Sequence, residues 1–326
     1  MKKLWEKHTS KLNKNIEAFE TKGDLLLDQK LIKYDVIGSL AHAKGLKKIG
    51  ILNQKELQQI EKGLNALIKS FEKFDKTYGK MPMPGYTHMQ KAMPSSIGLW
   101  AGSFIESLQD DLIILQTTIK LNDQSPLGSA AGYSTTLPLD REYIAKLLGF
   151  TKVQKNPLYC QNSKGKIEAV IISTLVQILL TINKFASDVL LFTANEFAFF
   201  NVSDEVTTGS SMMPQKKNVD VAELLRSKVH LLIGNYAQIA SLSSNLISGY
   251  NRDLQDIKRP LIESLEITID SLNVTNILLQ NLTPNKHVLE KAMTDDLFTT
   301  EKAFALVKKG VPFREAYMEV KHANKN

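Results

Sequence analysis

The chain has 326 residues, 43% hydrophobic and 23% charged, which is typical of a folded globular protein and excludes a disordered or collagen-like chain. The formal net charge of +7 comes from lysines spread along the whole sequence. Because they form no dense stripe with interleaved aromatics, they argue against nucleic-acid binding and suit an anionic substrate. The single cysteine, Cys160, excludes an internal disulfide and is typical of a reducing compartment.

Two stretches bear on targeting. Residues 1–7 include basic residues but no apolar run follows them, so we expect no secretory signal. Residues 169–182 form the most apolar stretch, which is shorter than a membrane span and contains Ser173, Thr174 and Gln177. It predicts a buried bundle helix, and we therefore expect a cytoplasmic protein that does not enter a membrane.

Helical periodicity dominates the chain, and alternating strand patterns are nearly absent. A proline- and glycine-rich break at 81–85 ends an N-terminal helical segment. Apolar stripes then predict long helices over 95–122, over 164–200, from 221 onward and over 255–281, with loops at 122–138 and 200–218. The prediction is an all-α protein with an N-terminal segment (1–83), a central long-helix bundle (84–282) and a C-terminal helical part (283–326).

Three of the breaks between helices carry candidate chemistry. Residues 207–218 combine a Gly209-Ser210-Ser211 run with Lys216 and Asn218 at a helix start, where backbone amides, an ammonium group and a helix N-terminus favour anions. Such surroundings also help a serine oxygen to act as a base. Glycine, serine and proline are equally what an ordinary linker uses, so the residues alone leave both readings open.

The other two breaks are less specific. Residues 84–90 place Thr87 and His88 just before a predicted long helix, where polar groups would face a cleft, although a lone histidine is more often structural. Residues 250–258 contain Tyr250, Gln255 and Lys258, and by themselves they read as a polar turn that starts a helix.

These segments resemble a known family. Gly209-Ser210-Ser211-x-Met213-Pro214-x-Lys216-x-Asn218 resembles the signature loop of the fumarase/aspartase superfamily, whose members cleave C–N or C–O bonds by anti elimination. Residues 84–90 and 250–258 are similar to segments of the argininosuccinate lyases, as are 3–5, 35–42, 122–141 and 309–316. One departure is Val219, where the family usually has proline.

The resemblance implies a role for each residue. Ser210 would be the base that removes a proton from carbon, and Lys216 would stabilise the negative charge. His88, polarised by Glu223, would protonate the leaving nitrogen. Substrate would be bound by Thr87, Asn218, Tyr250, Gln255 and Lys258. The family needs no metal or organic cofactor, and it assembles each active site from several subunits of a homotetramer. Without the resemblance, Glu223 reads as a surface helix charge.

The sequence departs from the family in one place. Members carry a long block before the segment that corresponds to Pro84-Gly85-Tyr86, which supplies the first long helix of the bundle and a Ser-Gly-Arg-Ser-Arg-Asn-Asp-Gln type motif that holds carboxylates. That motif is absent from this chain, and the gap falls near 68–75. Argininosuccinate lyase activity is the leading hypothesis. The alternatives are a sister lyase, such as adenylosuccinate lyase or aspartase, and a catalytically impaired or silent subunit that acts as a scaffold.

Overall fold

The structure is a computed structural model that describes residues 54–323, together with 16, 19, 21 and 27–32. The family-like segments at 3–5 and 35–42 lie outside the described residues. The chain divides into two compact units, each built from three separate stretches. Unit 1 comprises Met1–Lys55, Ile119–Ala169 and Ala237–Ile262, and unit 2 comprises Glu56–Thr118, Val170–Tyr236 and Glu263–Asn326. The three consecutive parts suggested by the sequence stay a prediction.

Long helices dominate the described residues, as the all-α prediction required. Their bounds are α1 (Gln54–Tyr78), α2 (Ile97–Asn122), α3 (Arg141–Leu148), α4 (Pro157–Asn162), α5 (Lys166–Thr193), α6 (Asp220–Leu242), α7 (Lys258–Gln280), α8 (Lys286–Ala292), α9 (Thr299–Lys308) and α10 (Phe313–Ala323). The long helices predicted over 95–122, from 221 and over 255–281 are thereby confirmed. The helix predicted over 164–200 ends earlier, at Thr193, where the chain turns through residues 194–198 into a short strand at 200–202.

Helix α1 runs without interruption through residues 68–75, where the family block is missing. Its buried face packs into unit 2, where the Phe71 ring lies 5.6 Å from that of Phe104 and 5.2 Å from that of Phe185. Farther along, a Cβ added at Gly63 would lie 3.2 Å from Leu272. Helix α1 therefore supplies one long helix of unit 2 across the position of the gap.

Helix α5 is longer than the apolar stretch seen in the sequence. It has 28 residues, and by length and composition alone it could cross a membrane. The apolar character continues past residue 182 to Thr193, so the prediction that this stretch is shorter than a membrane span was wrong. Its side chains Ile172, Leu175 and Phe185 are nonetheless almost fully buried within unit 2. We interpret α5 as the buried helix of the bundle, which is the structure that the sequence predicted.

Residues 82–96 form a β-hairpin that the sequence did not reveal. Strands β1 (Pro82–Thr87) and β2 (Gln90–Ser96) pair antiparallel with an irregularity between Pro84 and Tyr86. His88 and Met89 form the turn with positive φ angles of 52° and 59°, the backbone of a tight hairpin turn. Three prolines in the two strands and no Asn-Gly or Asp-Gly turn masked this hairpin in the sequence.

Four further strands are short. In unit 1, β3 (Gln124–Ser125) pairs parallel with β4 (Lys152–Val153), and in unit 2, β5 (Phe200–Val202) pairs antiparallel with β6 (Leu282–Pro284). Short 3₁₀ helices cover Asp204–Val206, Arg252–Ile257 and Asp295–Phe298. These elements order the connections between helices, so the predicted loops are not plain linkers.

Arg141 organises the connection between α2 and α5 in unit 1. Its guanidinium donates to the main-chain carbonyls of Leu127 (2.7 Å), Gln154 (2.8 Å) and Lys155 (3.0 Å), and more weakly to that of Pro126 (3.3 Å). These carbonyls lie outside regular helices, and a fork of five N–H donors is suited to satisfying several of them at once. Arg141 thus holds the long connecting segment together.

Candidate active site

The serine loop in unit 2 is closed at its base by its own main chain. Thr208 and Asn218 exchange two backbone hydrogen bonds, at 3.0 and 2.8 Å. The Thr208 hydroxyl donates to the Asp220 carboxylate in the first turn of α6, and Lys217 pairs with Asp204. The residues between Thr208 and Asn218 therefore form one loop anchored to the start of α6.

Ser210 lies at the start of this loop and is half-buried. Its Oγ accepts hydrogen bonds from the backbone N–H groups of Met212 (3.3 Å) and Met213 (3.1 Å). Backbone donors aimed at an oxygen stabilise negative charge on it without any reorganisation. The rest of the loop is open to solvent, with Met212 87% exposed, so a substrate can reach the hydroxyl.

Three of the predicted residues line one cavity of about 970 Å³ in unit 2: Lys216, Asn218 and Glu223. The side-chain amide of Asn218 also lies 3.5 Å from the Gly209 carbonyl. Glu196, after the end of α5, lines the same cavity. Glu196 has no motif around it that would have marked it in the sequence. Ser210 is not among the residues that line this cavity.

Thr87 and His88 lie at the tip of the β1–β2 hairpin, and both side chains are exposed. The left-handed backbone at His88 projects the imidazole from the turn. Among the described residues of one chain, the contacts of His88 do not include Glu223, which is exposed in the first turn of α6. Within a single chain, the predicted histidine and its predicted carboxylate thus lie on separate elements.

The three predicted substrate-binding residues of the 250–258 segment belong to unit 1. Tyr250 is 66% exposed, and the Lys164 ammonium lies 5.2 Å from the centre of its ring. Gln255 accepts a hydrogen bond from Arg252 within the 3₁₀ turn. Lys258 begins α7 and pairs with Asp28 at 3.0 Å. The segment is thus ordered, with Tyr250 open to solvent and Lys258 held by a carboxylate.

Comparisons with known proteins place the chain in a family. Residues 5–234 match the family model described as Lyase. The chain is 34% identical to the argininosuccinate lyase of Thermotoga neapolitana and 35% identical to that of Bacteroides fragilis. Each alignment covers 98% of this chain, with 97% of the Thermotoga protein and 86% of the Bacteroides protein. The alignments run over 387 positions against a chain of 326 residues, so the relatives contain positions that this chain lacks.

Solved structures agree on the fold. An EDDS lyase in complex with formate superposes with a TM-score of 0.74 at 22% identity, covering 82% of this chain and 54% of that one. The class II fumarase of Schistosoma mansoni gives a TM-score of 0.66 at 18% identity, covering 80% and 62%. The chain thus spans little more than half of these proteins. From the near-complete alignments to curated relatives above 30% identity, we conclude that the chain belongs to the argininosuccinate lyase family of the fumarase/aspartase superfamily.

Proposed function

We propose that the chain is a carbon–nitrogen lyase that cleaves argininosuccinate into arginine and fumarate by anti elimination. The observation that carries the proposal is the Ser210 hydroxyl, which accepts two backbone N–H groups in a loop anchored beside Lys216 and Asn218. The relatives that cover nearly the whole chain are named argininosuccinate lyases. A cytoplasmic location and a place in arginine biosynthesis are part of the same proposal.

The first chemical step is removal of a proton. The Ser210 oxygen takes a proton from the carbon next to a substrate carboxylate, and the electron pair of that C–H bond moves onto the carboxylate. The resulting dianion is stabilised by Lys216 and by a hydrogen bond from Asn218. Positive charge fixed where negative charge develops is the largest contribution that a protein can make to such a step.

The second step breaks the C–N bond. The electron pair of the intermediate forms the C=C bond of fumarate, and the C–N pair leaves with the guanidinium nitrogen of arginine. His88 supplies the proton that this nitrogen needs, with Glu223 holding the imidazole in its charged form, and Thr87 contacts a carboxylate. Tyr250, Gln255 and Lys258 hold the substrate. No step calls for a metal or an organic cofactor.

These groups lie on separate elements of one chain, so we propose that the site is assembled between copies in a homotetramer. Apolar residues stand exposed on the long helices of unit 2, which supports further helix packing: Leu99 is 69% exposed, Ile113 61%, Leu224 59% and Leu231 51%. A single chain rarely leaves so many large apolar side chains in water on its long helices. Copies of this chain are the partners that the family resemblance implies.

A second candidate function is a catalytically impaired subunit that acts as a scaffold. The missing positions favour it, because the sequence lacks the arginine-containing motif that holds carboxylates in the family. Losing one charge-assisted hydrogen bond costs roughly 1.5–3 kcal/mol of binding. Helix α1 is uninterrupted through residues 68–75, but it does not supply the missing carboxylate-binding motif.

Fumarate release from argininosuccinate, followed by its ultraviolet absorbance, tests the proposal. The wild-type chain is expected to release fumarate, and Ser210→Ala to release none. Ser211→Ala is the matched control, because it removes the neighbouring hydroxyl and is expected to retain activity. Turnover that persists in Ser210→Ala would contradict the base assignment. If the wild-type chain is inactive but changes the activity of a full-length relative mixed with it, the scaffold function is supported. If the chain cleaves adenylosuccinate or aspartate and not argininosuccinate, it is a sister lyase.

A further inference from the structure

The turn that carries His88 is short and exposed, so its position depends on how the hairpin beneath it is held. His88 and Met89 both have left-handed backbone angles and exposed side chains. Such a backbone is unfavourable for residues with a side chain, so contacts elsewhere in the protein must maintain it. The cross-strand pair Tyr86–Lys91 lies two residues from this turn on each strand.

Tyr86 holds strand β1 by packing of its ring. The ring centre lies 5.8 Å from that of Phe197 and 6.3 Å from that of Phe199, distances at which aromatic pairs attract each other. Burial also raises the pKa of the Tyr86 hydroxyl. The backbone carbonyl of Phe199 accepts the N–H of Asn285 at 2.8 Å, and Asn285 caps the start of α8. The ring packing therefore connects the hairpin to the segment that leads into α8.

Lys91 holds strand β2 by hydrogen bonds to the other end of α8. Its ammonium Nζ donates to the backbone carbonyl of Ala292 at 2.9 Å and to the hydroxyl oxygen of Thr294 at 3.0 Å. Ala292 is the last residue of α8, and the carbonyls at a helix C-terminus favour a cation. The two acceptors are 201 and 203 positions from Lys91 along the chain, so the contact belongs to the tertiary structure of unit 2.

Asp296 extends this contact beyond Thr294. The main cause that lowers the pKa of the Asp296 carboxyl group is a hydrogen bond from the Thr294 side chain, and the positive charge of Lys91 contributes to the same shift. The carboxylate is therefore ionised at neutral pH, and Thr294 accepts from Lys91 while it donates to Asp296. The three side chains form one hydrogen-bonded row from β2 to the 3₁₀ helix at Asp295–Phe298.

The Lys91 contact is expected to matter more for position than for stability. Lys91 is exposed, and polar contacts of exposed charges typically contribute only about 0.2–1 kcal/mol to folding. A displacement of about 1 Å in a reacting group can nevertheless lower a rate about a hundredfold. An anchor two residues from the turn therefore has a small effect on unfolding and a large one on where the His88 imidazole lies.

We propose that Lys91 is a positioning residue: by binding Ala292 and Thr294, it fixes the turn that carries His88, so that the imidazole is held where the leaving nitrogen is protonated. The segment that follows α8 thereby contributes to catalysis without touching substrate. This inference rests on the proposed function and extends it, because it adds Lys91 and Thr294 to the residues on which the second chemical step depends.

Steady-state kinetics of fumarate release tests the positioning role. Lys91→Met keeps an unbranched side chain but removes the ammonium, and it is expected to lower kcat about tenfold while KM for argininosuccinate changes less than about twofold. Lys91→Arg keeps donors for both oxygens and is expected to retain kcat within about twofold of wild type. Lys291→Met removes an exposed ammonium from the last turn of α8 and is the matched control, with unchanged kcat. All three variants are expected to melt within about 2 °C of wild type.

A double-mutant cycle tests whether Lys91 acts through Thr294. Thr294→Val removes one of the two acceptors of the Lys91 ammonium and is expected to lower kcat about threefold. In the Lys91→Met background, the same change is expected to lower kcat no further, because residues that act through one contact have non-additive effects. Decreases that multiply in the double variant would contradict the contact.

Amide hydrogen exchange of the peptide spanning 82–96 measures the same anchor without turnover. Exchange is expected to be about fivefold faster in Lys91→Met than in wild type, and unchanged in Lys91→Arg and Lys291→Met. Unchanged exchange in Lys91→Met, or faster exchange with unchanged kcat, would overturn the inference while leaving the proposed function intact. Lys91-dependent exchange in a wild type that releases no fumarate would instead sink the proposed function and support the anchoring of the turn by Lys91.

Discussion

The backbone N–H of Asn218 donates to the carbonyl of Thr208 at 2.8 Å, and the N–H of Thr208 donates back at 3.0 Å. This pair fixes the two ends of the loop that carries Ser210, and the hydroxyl of Thr208 ties the same point to Asp220 at the start of α6. The position of the proposed base thus depends on residues that need not touch substrate.

Replacing Thr208 with valine is expected to lower kcat by about tenfold, because the side-chain bond to Asp220 is lost and small displacements of a reacting group are costly. The free energy of unfolding is expected to fall by only about 1 kcal/mol, the contribution of one hydrogen bond. Kinetics of fumarate release and urea unfolding measure the two quantities. Thr208→Ser keeps the hydroxyl and serves as the control. An equal decrease of kcat in Thr208→Val and Thr208→Ser would contradict the role of this hydrogen bond.

Arg141 is expected to be a stability residue of unit 1. Arg141→Lys retains the charge but cannot reach the carbonyls of Leu127, Gln154 and Lys155 together, so the free energy of unfolding should fall by about 2–4 kcal/mol. Urea denaturation measures this change. Arg314→Lys, at an exposed position on α10, is the control and is expected to change stability by less than about 0.5 kcal/mol. A similar effect of the two changes would contradict the assignment.

Asp111 is expected to make stability depend on pH. It is 5% exposed on α2, and burial raises the pKa of its carboxyl above the ordinary 3.8, with Asp110 adding to the rise and the Thr181 hydroxyl opposing it. The folded state then holds the proton more tightly than the unfolded state. Stability is therefore highest below the unfolded pKa and is lost as pH rises through the folded pKa.

Asp111→Asn removes this charge and can still accept the Thr181 hydroxyl, so the variant is expected to melt at a higher temperature than wild type at pH 7. The difference should shrink as the pH is lowered towards the ordinary pKa of aspartate. Thermal unfolding from pH 4 upward measures it, and Asp270→Asn at an exposed position on α7 is the control. A lower melting temperature for Asp111→Asn at neutral pH would contradict this reasoning.

Periodicity predicted the long helices well because each is long enough for its apolar stripe to be counted over many turns. The β1–β2 hairpin escaped detection, because prolines hid its strands and His88 and Met89 are unusual residues for a left-handed turn. The end of α5 was also misplaced: the pattern continued to Phe200, but the helix ends at Thr193, and residues 200–202 pair with 282–284. Such pairing depends on residues that are distant in sequence.

The candidate site was likewise predicted only in part from the sequence. Ser210, Lys216 and Asn218 were found from one contiguous motif, since local spacing alone gives them a common loop. Glu196, which lines the same cavity as Lys216, Asn218 and Glu223, had no motif, because a place in a cavity wall is recognised only when the surroundings of the residue are known.

The sequence by itself determined the helical class, the family and the loop that holds the proposed base, because these depend on periodicity and on short runs of residues. Only the tertiary structure decided that α1 is one continuous helix at the position where the family block is missing. It also decided that the Phe71 ring of α1 packs against Phe104 and Phe185. It decided as well that Arg141 binds carbonyls from two segments, at Leu127 and at Gln154 and Lys155. Burial and hydrogen-bond partners are properties of residues brought together from distant parts of the chain, and no local pattern specifies them.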